Sequence, residues 1–234
     1  MGKIIVPKEQ RKASKSRKKI EGVLLQELGK VMRERPQPRF LEVGAHIGKM
    51  IEFIYECNDG AEVYAIEPLD SNIKKLLQRF PARNITVFKG LVSSTVGKKN
   101  LFLSNIKTKN ENMDCSMYKE SVEKNNADIK NIIAENAYTM EHIWKELKLS
   151  HIDLISMNCE GGEYDIFESD NMEFLDNTDM IFICMHTKSK LFLSEEYRKK
   201  RMRIMDILAN RGFVMQGMKD VGALAHVVQL WRKK

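Results

Sequence analysis

Residues 39–48 read Arg39-Phe40-Leu41-Glu42-Val43-Gly44-Ala45-His46-Ile47-Gly48. Arg39 to Val43 is a short, mostly apolar strand. The glycines that follow let the backbone turn tightly and approach a ligand closely. A helical pattern then runs to about Tyr55. On the upstream side, Ile20, Val23, Leu24, Leu28 and Val31 are near helical spacing, which predicts an amphipathic helix from Ile20 to Arg35, stopped by Pro36 and Pro38. On the downstream side come a strand from Ala61 to Ile66 ending at Glu67-Pro68, a helix from about Asn72 to Phe80, and a strand from Ile85 to Phe88. Strands and helices alternating at this short spacing predict an α/β fold with a doubly wound, mostly parallel sheet.

The stretch from Gly90 to Tyr138 is less regular. Lys99 to Asn105 reads as a strand, and the Lys-, Asn- and Glu-rich run from Lys107 to Asn131 as loops and a short helix over one end of the sheet. Alternation then resumes. Thr139 is placed to cap a helix reaching Leu147, Ile152 to Met157 and Met180 to Met185 read as buried strands, and Glu195 to Asn210 as a helix. Phe213 to Gln216 and Ala223 to Leu230 predict a closing antiparallel hairpin. No internal repeat or linker divides the chain, so the expected organisation is an arm over residues 1–19 and one domain over 20–234.

The 234 residues are 43% hydrophobic and 30% charged, which supports a packed core and argues against disorder. No stretch approaches the roughly 18 apolar residues of a membrane-spanning helix, and no secretory leader is evident. Cys57, Cys115, Cys159 and Cys184 stand far apart, as neither a zinc site nor a disulfide scaffold. Free cysteines suit a reducing compartment, so a cytoplasmic location is expected. The net charge of +7 is local. Residues 1–20 hold eight Lys or Arg against the single acid Glu9, and the rest of the chain balances to zero. Such an arm suits an anionic partner: RNA, a membrane surface or an acidic protein.

In an open α/β sheet, ligands bind outside the carboxyl ends of the strands, so the residues just after each strand carry the candidate chemistry. Gly44 to Gly48 is not a dinucleotide fingerprint, because His46 stands where its second glycine would be and would crowd a pyrophosphate. An acid followed by glycines four apart instead resembles the S-adenosylmethionine loop of class I methyltransferases. Glu67, 23 residues after Gly44, ends the second strand, where a carboxylate can accept both ribose hydroxyls of an adenosine. After the strand Ile152 to Met157 comes Asn158-Cys159-Glu160-Gly161-Gly162-Glu163, with Glu160 projecting near the site and Glu163 in the first turn of a helix, where the dipole favours an acid. His186, directly after the strand Met180 to Met185, is placed as a general base.

Together these pieces resemble the FkbM-type methyltransferases over roughly Phe40 to Met218. Besides the glycine loop and Ile66-Glu67-Pro68, the resemblance rests on Leu91-Val92-Ser93, the turn at Gly97, Leu101-Phe102-Leu103 and Cys115-Ser116-Met117. It continues through Thr139-Met140, Glu160-Gly161-Gly162-Glu163 and His186. Where the family has Lys and Asp two apart before its Glu-Gly box, this chain has Ser156 and Asn158, and where it has an acid two residues before the His, Cys184 stands. Asn is no base and a poor partner for a divalent cation, so no metal is expected.

The resemblance implies a single-domain class I fold with a seven-stranded sheet. It also implies methyl transfer from S-adenosylmethionine, yielding S-adenosylhomocysteine, to an oxygen of a small molecule or glycan. It puts Glu42, Gly44, Ala45, Gly48, Glu67, Pro68 and Leu91 at the cofactor, His186 and then Glu160 as base, and Asn158 as orienter of the acceptor. Two other readings are a cofactor-binding module without turnover and an RNA-associated methyltransferase using the basic arm.

Overall fold

The computed structural model describes residues 22, 24–104, 115–123, 129–187, 191–220 and 226–234. The expected basic arm and the first residues of the predicted leading helix lie outside them. Helix α1 (24–34) precedes β1 (Arg39–Val43). Then follow α2 (Lys49–Cys57), β2 (Glu62–Glu67), α3 (Asp70–Arg79) and β3 (Ile85–Lys89). After a central insert come α5 (Met140–Glu146), β8 (Ile152–Met157), α6 (Gly162–Ile166), β9 (Thr178–His186), α7 (Glu195–Asn210), β10 (Phe213–Asp220) and β11 (His226–Lys233).

The main sheet has seven strands in the order β10-β11-β9-β8-β1-β2-β3. Strands β3, β2, β1, β8 and β9 are parallel, and β11 is antiparallel to both β9 and β10. Its inner strands are apolar on both faces, as a sheet covered by helices on each side requires; all six residues of β8 are buried. Leu28, Met32, Ile51, Ile54 and Leu76 from α1, α2 and α3 pack one face. Met140, Ile143, Ile166, Ile204 and Leu208 from α5, α6 and α7 pack the other. Thr139 caps α5 as its sequence predicts, its Oγ1 accepting from the His142 N–H at 3.2 Å. The closing hairpin is longer than expected, with a register shift between Met215 and Gly217.

The insert differs from its sequence reading. Between β3 and α5 lie β4 (Leu91–Val92), β5 (Gly97–Ser104), β6 (Cys115–Ser116), α4 (Lys119–Glu123) and β7 (Ile129–Tyr138). They form a second sheet in the order β4-β7-β5-β6. Ten-residue β7 was not expected, because Asn, Ala and Glu are poor strand formers. Its partner overrides that preference: β5 and β7 pair antiparallel from Gly97↔Ala137 to Leu103↔Asn131. Ile133 and Ala137 then turn inward with Leu91, Leu101 and Leu69 as a third apolar cluster. Residues 105–114 and 124–128, which take in the end of the predicted strand and parts of the predicted loop run, lie outside the described residues.

The chain leaves β1 towards β2 on one side and returns to β8 on the other, so strand order reverses between β1 and β8. The crevice at such a reversal is where open sheets bind ligands. Gly48 shapes one of its borders from behind. It opens α2 at φ +81, and a Cβ there would lie 2.5 Å from Leu76 Cδ1 and 2.7 Å from Phe80 Cε2. Gly48→Ala is expected to lower stability by about 1–3 kcal/mol through overpacking and a left-handed backbone, read as a shifted urea midpoint.

Candidate active site

Two turns meet at the reversal. After β1, Gly44 (φ +83) and Ala45 both donate their N–H to Ile66 O at 3.0 Å. After β8, the Asn158 N–H donates to Val43 O at 3.0 Å. The turns approach so closely that a Cβ on Gly44 would lie 2.4 Å from Asn158 O. No other residue type fits there, since the obstacle is backbone and cannot swing away.

Glu67 ends β2 beside them and is almost wholly buried. Its Oε2 accepts from the His46 N–H at 2.8 Å, and its Oε1 from the Leu69 N–H at 3.1 Å and Asn72 Nδ2 at 2.9 Å. Burial pushes its carboxyl above the ordinary range, and these donors oppose the push. His46 reaches this position at φ +49.

The turns open onto a cleft at the carboxyl ends of the strands, where ligands of open α/β sheets bind. Gly44, Glu67, Pro68, Leu91, Asn158 and Glu160, all singled out in the sequence, lie on its wall. The second sheet supplies much of the rest: Val92, Leu101, Cys115, Ser116 and Met117. The sequence reading named segments of that insert and one strand in it, and the pairing of the second sheet is what brings these residues to the cleft.

Four singled-out residues are not on the wall. Ala45 packs in the core beneath α2, and Gly48 serves helix packing. Glu42 is buried within β1 opposite Ser156. Burial drives its carboxyl well above the ordinary range, against a hydrogen bond from Ser156.

His186 is the fourth, 1% exposed at the end of β9. Its Nδ1 lies 3.1 Å from Glu163 Oε1 and its Nε2 3.4 Å from Glu160 Oε1. Glu163 has no exposure and also accepts the N–H of Cys159 at 2.5 Å and of Gly161 at 2.9 Å. Burial would lower the His186 pKa, but the charges of Glu163 and Glu160 outweigh it and push it up to about 10. The ring is therefore a buried imidazolium at neutral pH, clamped between two carboxylates. Glu160 touches both the clamp and the cleft.

Cys159, also on the wall, donates its thiol to Val43 O at 3.4 Å, and burial holds it protonated. Among the described residues, the His, Cys and acidic side chains grouped closely enough to hold a cation are His151, Asp153 and Asp179. They sit at the opposite end of β8 and β9, where Arg35 pairs with both aspartates.

The family description "Methyltransferase FkbM domain" matches residues 42–215. Curated protein sequences give no match. Among solved structures, an FkbM methyltransferase from Methylobacillus flagellatus KT is 12% identical with a TM-score of 0.53, over 84% of this chain and 44% of that one. This chain thus spans less than half of that relative's length. A fibrillarin pre-rRNA processing protein from Methanococcus jannaschii is 14% identical with a TM-score of 0.49, over 86% of this chain and 69% of that one. Aeropyrum pernix fibrillarin, solved with natively bound S-adenosyl-L-methionine, is 11% identical with a TM-score of 0.47, over 83% of this chain and 66% of that one. The family match runs from β1 into β10 and takes in every strand end that borders the cleft, and by it this chain belongs to the FkbM methyltransferase family.

Proposed function

We propose that this protein methylates a hydroxyl of a small molecule or glycan, with Glu160 taking the proton. As a member of its family it is an S-adenosylmethionine-dependent methyltransferase. The residues present fit that cofactor. Gly44 lets the turn after β1 close against the Asn158 backbone, so that both turns line the cleft side by side. Glu67 presents a carboxylate at the cleft whose Oε2, with the His46 N–H as its one donor, keeps a lone pair for a ribose hydroxyl. Ile66, Leu91, Val92 and Leu101 offer an apolar wall to a base. The cofactor supplies a methyl group made electrophilic by its sulfonium sulfur.

The chain's own work is to hold the acceptor in line and exclude water. Asn158, on the wall beside Gly44, orients the acceptor by hydrogen bonds. The Glu160 carboxylate accepts the proton of the acceptor hydroxyl. The observation that carries this reading is that Glu160 lies on the cleft wall while His186 lies behind it, Nε2 3.4 Å from Glu160 Oε1. An imidazolium has no lone pair to accept a proton, so the expected role of His186 as base passes to its neighbour, and His186 holds that neighbour in place. S-adenosylhomocysteine leaves as product.

Calorimetric titration with S-adenosylmethionine, S-adenosylhomocysteine and NAD in parallel tests the foundation. Micromolar binding of both adenosyl ligands without NAD is expected, and no adenosyl binding would overturn the enzyme reading in favour of a fold without the activity. Glu67→Ala is expected to weaken adenosyl binding about 10- to 100-fold, as loss of charge-assisted hydrogen bonds does. Unchanged affinity would remove Glu67 from the ribose. Should the adenosyl ligands bind while no acceptor panel yields S-adenosylhomocysteine, the protein is a binding module.

The charge of residues 1–20 favours a second reading, an RNA-associated methyltransferase held to its acceptor by the arm. RNA binding would then fall steeply with salt and be lost on removal of residues 1–19. Among the described residues no helix is long and apolar enough to cross a membrane.

A further inference from the structure

Glu160 stands at φ +52, a backbone state that a residue with a side chain keeps only where its surroundings over-determine it. On one side the turn is held by Glu163, through the N–H groups of Cys159 and Gly161. On the other, the holder comes from the second sheet. Ser116 Oγ donates to Glu160 O at 2.6 Å and accepts from the Tyr118 N–H at 3.0 Å. Ser116 is 2% exposed, and its single proton is committed, so its O–H direction is fixed. It belongs to β6, the end strand of the second sheet, which pairs with β5 through Phe102↔Ser116. Its neighbours Cys115 and Met117, with Leu101 of β5, line the cleft. One short strand thus both walls the cleft and grips the turn that carries Glu160.

We propose that Ser116 is a positioning residue whose hydroxyl ties the Glu160 turn to the second sheet and so keeps the carboxylate between the cleft and His186. Its consequence for catalysis rests on Glu160 as proton acceptor, whereas the coupling itself does not. The segment has a separate anchor. The Tyr118 ring meets Phe192 edge-on at 5.4 Å and Tyr197 at 6.1 Å. Phe192 in turn fills the space beside Gly161, its Cζ 2.3 Å from where a Cβ would stand. These ring contacts, with the hydrogen bond between the Tyr118 and Tyr197 hydroxyls, hold the strand without directing the Glu160 carbonyl. Loss of the hydroxyl therefore frees the turn while the strand stays docked.

The test is an NMR titration of the His186 imidazole in the wild type, S116A, S116T and E160Q. E160Q is expected to lower the His186 midpoint by about one pH unit or more, because an opposite charge at this range is removed. S116A is expected to lower it in the same direction, by roughly half as much, and S116T, which keeps the hydroxyl, to restore it. If S116A does not fold, S116C fills the same space with a weaker donor and is read in the same way. A midpoint unchanged in S116A but shifted in E160Q overturns the proposal, as does a shift that threonine fails to reverse. An unmoved midpoint in E160Q overturns it too, since no Glu160–His186 contact would then exist to be positioned. Full turnover by E160Q would remove only the catalytic role of Glu160 and leave the coupling measured at His186 standing.

Discussion

Replacing Glu163 with alanine is expected to destabilise the protein by about 3–5 kcal/mol, the loss that follows when one partner of a buried ion pair is removed and the other stays. Glu163 has no exposure and serves three donors at once: His186 Nδ1 and the N–H groups of Cys159 and Gly161. Alanine leaves the imidazole and both amides without that acceptor in a space closed to solvent. Glutamine keeps one oxygen for the amides and is expected to cost less. Urea unfolding of the two variants reads both effects, and wild-type stability in Glu163→Ala would mean that the buried pair does not form.

The same pair sets a pH dependence. The folded protein holds the His186 proton up to about 10, against an ordinary value of 6.5 in the unfolded chain. A raised folded pKa contributes stability that is fully present below about 6.5 and is lost as pH rises through about 10. Wild-type stability is therefore expected to fall across that window, and to fall less in Glu163→Ala.

Glu160→Gln is expected to cut methyl transfer about 10²- to 10⁴-fold, the usual contribution of a positioned general base. Binding of S-adenosylhomocysteine should persist, because the Gly44 turn and Glu67 are untouched. Steady-state turnover with any accepted alcohol, beside calorimetry, separates the two. The amide retains the size of the side chain and one oxygen, so the change is confined to charge and basicity. Turnover within a few-fold of wild type would sink the assignment. It would also fit an amine acceptor, which needs only to be neutral. An amine acceptor is in turn identified by the methylated nitrogen in the product.

Several parts of this site were legible from the chain alone. Strand and helix periods are local, and a glycine at a strand end announces a turn whatever surrounds it. Gly44, Glu67, Asn158 and Glu160 could therefore be placed at strand ends, and so at the cleft, before any contact was known. The family resemblance rested on the same short motifs, and the match over residues 42–215 agrees with it.

Other parts were not legible, for reasons that are also physical. The ladder joins β5, most of which reads as a strand in the sequence, to β7, whose strand preference is weak and which the pairing makes a strand. The resemblance named Leu101 to Leu103 and Cys115 to Met117, but that they wall the cleft follows only from the pairing. The resemblance put Glu42 at the cofactor, yet it faces Ser156 inside the sheet, where burial raises its carboxyl well above the ordinary range.

His186 shows the division most plainly. Its position at the end of an apolar strand followed from local pattern, and so did the two glutamates three residues apart. Its charge did not. That charge depends on the turn after β8 folding back against the end of β9, which sets both glutamates within 3.4 Å of one buried ring. Desolvation and Coulomb attraction act through space, with magnitudes set by burial and distance. Local pattern could therefore name the groups, while tertiary packing alone set the buried ring between two carboxylates and so the upward push on its pKa.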